Sequence, residues 1–120
     1  MNSAKRILVI DDNPEIQTVM KTVLDLEGYQ TLSAADGAQA LDIISQYPPD
    51  LIFLDMFMPV MDGWAFLDEY YRKPGRRAPI VGISGDILHP DQLPGIDSFM
   101  RKPYSPEQML SAVHRHTERH

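Results

Sequence analysis

The sequence predicts an α/β fold, an open and doubly wound parallel sheet with helices on both faces. Three observations carry that prediction. Ile7-Leu8-Val9-Ile10, Leu51-Ile52-Phe53-Leu54 and Ile80-Val81-Gly82-Ile83 are apolar without alternation, as strands buried on both faces of a parallel sheet must be. Segments of helical spacing alternate with them along the chain. Each run also ends on a polar residue: Asp11, Asp55 and Ser84 respectively.

Taken in order, the first strand runs into Asp11 and Asp12, and Asn13-Pro14-Glu15 then starts a helix. Asn13 suits the cap, Pro14 the first helical position, and Glu15 the positive helix end. Ile16, Val19, Met20, Val23 and Leu24 recur at helical spacing and predict one buried stripe, which Gly28 terminates. Residues 29–34 form a shorter, less apolar strand. Asp36-Gly37 turns the chain into a second helix carrying Ala40, Leu41, Ile43 and Ile44, which Pro48-Pro49 ends. The third strand reaches Asp55. Asp62-Gly63 opens a third helix whose inward face is Phe66, Leu67, Tyr70 and Tyr71, and Pro74-Gly75 stops it. After the fourth strand a helix is due. The stretch from Gly85 to Gly95 holds Pro90 and Pro94, so that helix is expected to be stunted, irregular or absent. Ser98-Phe99-Met100-Arg101 is a short fifth strand before Lys102-Pro103. Ser105-Pro106-Glu107-Gln108 is a capping box for the last helix, with Met109, Leu110 and Val113 inward.

Composition narrows the function classes. The chain of 120 residues, 43% hydrophobic and 23% charged, has the size and balance of one globular domain, taken as residues 1–120. A net charge of −6 argues against nucleic-acid binding by the domain itself. No cysteine means no disulfide framework and no catalytic thiol, which suits a reducing cytoplasm. The short apolar run after Met1-Asn2-Ser3-Ala4-Lys5-Arg6 is not a signal peptide, and no stretch is long enough for a membrane span.

In doubly wound sheets, ligands bind beyond the carboxyl ends of the strands. Four such ends here carry Asp11 and Asp12, Asp55, Ser84 and Lys102. Three carboxylates in one partly desolvated pocket repel strongly. A hard divalent cation such as Mg²⁺ relieves that repulsion and leaves positions for substrate oxygens. With Lys102 as cation and Ser84 as hydroxyl, these are the parts of a phosphoryl-transfer site.

The ordered set Ile10-Asp11-Asp12, Leu54-Asp55-Met56, Met58-Pro59, Met61-Asp62-Gly63, Ile83-Ser84-Gly85 and Lys102-Pro103 resembles the response-regulator receiver domains, the CheY-like family, in its stand-alone form. The resemblance covers essentially the whole chain and implies a five-stranded sheet of order 2-1-3-4-5, flavodoxin/CheY-like. It implies that Asp55 is the phosphoacceptor, taking phosphoryl from a sensor histidine kinase or a histidine phosphotransfer protein, and that an output protein reads the result. Asp12 and Asp55 are expected to bind Mg²⁺ directly, Asp11 through water, with the Phe57 carbonyl completing the set. Lys102 pairs with Asp55 and its bond to Pro103 is expected to be cis. Ser84 swings towards the phosphoryl group, and Phe99 matches the aromatic switch residue. Such a domain catalyses its own phosphorylation and dephosphorylation and turns over no metabolite.

Competing readings are weaker. Two adjacent carboxylates exceed what capping the first helix needs. An aspartyl-nucleophile phosphatase wants a second acid two positions after the nucleophile, where Phe57 stands. A receiver-shaped interaction module without phosphorylation does not need the full polar set. A flavin-binding protein lacks its Ser/Thr/Gly-rich phosphate loop. Met56, Met58 and Met61 read as packing. His114, His116 and His120 suit a helix C-terminus, although His116 and His120 are spaced to share a metal. Phe57 departs from the family pattern, and a large ring beside the pocket is expected to slow hydrolysis of the aspartyl phosphate or alter partner access. The proline-broken stretch puts the usual output face in doubt.

Overall fold

The three continuous apolar runs form the middle of the sheet. In the computed structural model, which describes residues 4–118, the strands are β1 (Arg6–Ile10), β2 (Gln30–Ala34), β3 (Leu51–Asp55), β4 (Ile80–Ser84) and β5 (Ser98–Arg101). All pairs are parallel, in the order β2-β1-β3-β4-β5. Of the three interior strands, β3 and β4 are buried at every residue. Edge strands β2 and β5 are only partly covered, and their sequences are correspondingly less apolar.

The helices are α1 (Pro14–Leu26), α2 (Gly37–Gln46), α3 (Gly63–Arg72) and α4 (Pro106–Thr117). Each starts on the cap its sequence offers. Asn13, Asp36, Asp62 and Ser105 accept N–H bonds from the first turns, and Gln108 completes the capping box. α1 and α4 cover one face over Val9, Phe53 and Val81, whereas α2 and α3 cover the other over Leu8, Ile52 and Leu54. Met56, Met58 and Met61 pack into the second core as expected. Gly63 lets α3 start directly against β3, because a Cβ there would stand 2.8 Å from the Met56 Cα.

Among the described residues, the span between β4 and β5 contains one short 3-10 turn, Pro90–Gln92, and no α-helix. The expected loss of that helix is therefore observed. Leu88, Leu93 and Ile96 still reach the second core. Two positions depart from the helical-face reading. Val19 is 60% exposed and Tyr71 is 41% exposed, because each lies at the margin of its stripe, where no neighbouring helix or strand fully covers it. Val19 borders an open groove of about 600 Å³ between α1 and α4, lined also by Ile16, Val23, Tyr104 and Lys102. Tyr71 turns to the irregular span and donates its hydroxyl to the Gly95 carbonyl at 2.7 Å. His120 lies outside the described residues. His116 has its Nε2 2.9 Å from Ser98 Oγ.

Candidate functional site

Parallel strands of matched register bring their carboxyl ends to one edge of the sheet. Ile10 pairs with Leu54, and Asp55 pairs with Ile83, so Asp11, Asp55 and Ser84 leave adjacent strands side by side. Lys102 follows β5, its N–H bonded to the Ser84 carbonyl at 2.8 Å, and the Lys102–Pro103 peptide is cis. The sequence-predicted residues therefore converge.

Asp11, Asp12 and Asp55 each offer a ligand atom within 4.8 Å of the others. Asp11 and Asp55 are almost fully buried, at 1% and 4% exposure, and Asp12 is exposed. Asp55 Oδ1 accepts the Phe57 N–H at 3.1 Å, and Oδ2 accepts from Lys102 Nζ at 3.2 Å. Asp11 Oδ1 accepts the Asn13 N–H at 2.9 Å. Among the described residues, Asp11 Oδ2 is the one buried side-chain nitrogen or oxygen without a hydrogen bond, and Lys102 Nζ at 3.6 Å is too distant to supply one. A buried, orphaned carboxylate oxygen facing two further carboxylates is a donor set that fits a hard divalent cation.

The electrostatics agree with that geometry. Burial pushes the Asp11 carboxyl above its ordinary value, and the charges of Asp55 and Asp12 add to the rise. The Asn13 N–H and Lys102 offset it only in part. Burial alone would lower the Lys102 ammonium, but Asp11 and Asp55 raise it above its usual range. Tyr104 is pushed up to about 12, chiefly by burial and also by the two carboxylates.

Ser84 is buried, and its hydroxyl accepts the Asp86 N–H at 2.9 Å. Phe99 on β5 pairs with Gly82 on β4 and is only partly buried. Phe57, whose N–H is bonded to Asp55 Oδ1, is 50% exposed. Two residues that sequence reasoning did not mark also matter here. Gln17 on α1 donates its side-chain amide to the carbonyls of Asp11 and Ala34, which holds the exit of β1 against β2. Trp64 on α3 packs edge-on against Phe57. An isolated Gln inside a helix carries no local signal, because the carbonyls it meets come from other strands.

Comparison with known proteins places this architecture. The family described as the response regulator receiver domain matches residues 7–114. A probable transcriptional regulator, ycf27, from Porphyridium aerugineum is 34% identical over 113 residues, covering 91% of this chain and 46% of the relative. The response regulator GtcR of Aneurinibacillus migulanus is 32% identical over 114 residues, covering 92% and 46% respectively. The chain thus spans about half the length of the curated relatives it matches. Among solved structures, the receiver domain of sensor histidine kinase PA1611 from Pseudomonas aeruginosa PAO1 superposes with a TM-score of 0.88 at 29% identity, covering 98% of this chain and 100% of that one. That structure has a magnesium ion coordinated in its active-site cleft. The chain belongs to the response regulator receiver domain family of two-component systems.

Proposed function

We propose that this chain is the phosphoacceptor of a two-component system or phosphorelay, with Asp55 taking a phosphoryl group from a phosphohistidine. The observation that carries the reading is one ammonium, Lys102, 3.2 Å from a buried Asp55 that shares its pocket with Asp11 and Asp12. Asp11, Asp12 and Asp55, with the Phe57 carbonyl, would hold Mg²⁺. When bound, that ion neutralises the carboxylates and the incoming phosphoryl oxygens.

The rest is the work of the chain. A carboxylate oxygen of Asp55 attacks phosphorus as the phosphorus–nitrogen bond breaks, and the electron pair stays on the donor imidazole. The Phe57 N–H fixes the carboxylate plane. Lys102 follows the charge from carboxylate to phosphoryl oxygen. Ser84 gives up its acceptor role towards Asp86 and donates to the phosphoryl group, and Phe99 adjusts behind it. The new charge favours one arrangement of these residues over the other, which is a population shift.

The donor is a histidine kinase or a histidine phosphotransfer protein, and the apolar α1–α4 groove suits a helix of such a partner. The receiver then signals to an output protein by contact, with no direct role on nucleic acid in view of its net charge of −6. It modifies only itself and turns over no metabolite. Cysteine-free composition fits action in the cytoplasm.

Incubation with Mg²⁺ and acetyl phosphate, followed by intact-mass measurement, tests the reading. Wild type is expected to gain one phosphoryl adduct that excess chelator prevents. An adduct formed equally without divalent cation would contradict the assignment.

A further inference from the structure

Residues 85–97 join β4 to β5 with no α-helix of their own, so this strap needs external anchors. Two aromatic side chains on α3 supply them. Trp64 Nε1–H donates to the Gln92 carbonyl at 2.6 Å, and the Tyr71 hydroxyl donates to the Gly95 carbonyl at 2.7 Å. The second anchor is fitted closely. Gly95 has φ +83°, and a Cβ there would lie 2.7 Å from the Tyr71 ring.

The first anchor has another contact. Trp64 meets the Phe57 ring edge-on, with centroids 5.1 Å apart and planes at 69°, and the Phe57 N–H is bonded to Asp55 Oδ1. One side chain therefore touches both the strap and a residue whose backbone is bonded to Asp55. The near end of the strap is tied to the Asp55 pocket, since the Asp86 N–H donates to Ser84 Oγ.

A half-exposed phenylalanine with no ring neighbour exchanges rotamers freely. An edge-to-face partner biases it to one position. We propose that Trp64 is a positioning residue acting through Phe57: it holds that ring at the mouth of the Asp55 pocket, so that water reaches the aspartyl phosphate slowly, and it ties this rim to the strap through Gln92. The proposal rests on Asp55 being the phosphoacceptor. In the step that is slowed, a water oxygen bonds to phosphorus as the bond between phosphorus and the Asp55 oxygen breaks. This releases inorganic phosphate and restores the carboxylate.

The test phosphorylates wild type, Phe57→Ala, Trp64→Leu, Trp64→Phe and the Phe57→Ala/Trp64→Leu double variant with acetyl phosphate and Mg²⁺. After donor removal, adduct loss is followed by intact mass. Phe57→Ala and Trp64→Leu should each lose phosphate roughly threefold faster or more, the factor expected when one aromatic pair is released. The double variant should be no faster than Phe57→Ala alone. Trp64→Phe keeps a ring against Phe57 and should stay within about twofold of wild type. Trp64 is the sole tryptophan of the chain, so its emission is a second readout, expected to change on phosphorylation in wild type and not in Phe57→Ala. A wild-type decay rate in Trp64→Leu, or rates that multiply in the double variant, would overturn the proposal. Should Trp64→Leu not fold, emission of the wild type that ignores phosphorylation would overturn it instead. Absence of any adduct on wild type at the first time point would sink the phosphoacceptor reading and this proposal together.

Discussion

Lys102 Nζ stands 3.2 Å from Asp55 Oδ2 and 3.6 Å from Asp11 Oδ2, so one ammonium serves two buried carboxylates on adjacent strands. It hydrogen-bonds only the first. On the second, burial and like-charge repulsion outweigh the pull of Lys102 and the Asn13 N–H, and they hold the Asp11 carboxyl above its ordinary value.

A carboxyl whose folded-state pKa lies above its unfolded value contributes stability that is full below the unfolded pKa. That contribution is lost as pH rises through the folded one. Ionised Asp11 is therefore a cost at neutral pH when no divalent cation is present. Asp11→Asn is expected to raise metal-free stability by about 1–2 kcal/mol in urea unfolding at pH 7. It should also remove part of the decline in stability above pH 4. Added Mg²⁺ should stabilise wild type more than the variant. A variant less stable than wild type in chelator would contradict this reading.

Gln17 donates its side-chain amide to the Asp11 carbonyl and shares the Ala34 carbonyl with the Asp11 N–H. Gln17→Leu leaves the Asp11 carbonyl without that donor, costing about 1–3 kcal/mol. It also frees the segment that bears Asp11 and Asp12. Mg²⁺ affinity, measured by calorimetry on the folded variant, should fall roughly tenfold, the usual effect of losing a group that orients ligands. An unaltered affinity would mean that the carboxylates position themselves.

Gly63 is where α3 meets the exit of β3. Its N–H donates to the Met56 carbonyl at 3.0 Å, and a Cβ would stand 2.8 Å from both the Met56 Cα and its Sδ. The clash is partly with backbone, so a rotamer change cannot fully relieve it. Gly63→Ala should lose about 1–3 kcal/mol in thermal or urea unfolding. Gly28→Ala meets no atom within 4 Å but sits at φ +90°, so it separates steric from conformational cost.

The Tyr104 phenol, bonded to Met20 Sδ at 3.2 Å, is pushed up to about 12 by burial and the nearby carboxylates. Its raised pKa favours the folded state below pH 10, and that advantage is lost as pH rises towards 12. The difference in tyrosinate absorbance between wild type and Tyr104→Phe should therefore show a late transition, well beyond that of an exposed tyrosine. A transition near 10 would show the ring to be solvated.

Much of this was legible because local and global signals coincide. The central strands are apolar without alternation since both faces are covered, and Asn13, Asp36, Asp62 and Ser105 cap the helices they precede. The polar strand ends pointed to one pocket because parallel topology leaves them no other place. Val19 and Tyr71 were misplaced because helical period marks a stripe but not the width of its cover. The prolines after Ser84 said which structure would fail there. They could not say that Trp64 and Tyr71, distant in sequence, would hold what replaced it. Gln17 was invisible for a similar reason, since its partners are backbone carbonyls and carry no side-chain signature.

The central claim is that Asp55 itself carries the phosphoryl group. Borohydride reduces an aspartyl phosphate to homoserine and leaves free aspartate intact, so peptide mapping of the acetyl phosphate-treated, reduced chain tests it directly. Homoserine is expected at position 55 of wild type, dependent on Mg²⁺, and nowhere in Asp55→Asn. Conversion at Asp11 or Asp12 in wild type, or a phosphoryl adduct that persists in Asp55→Asn, would contradict it.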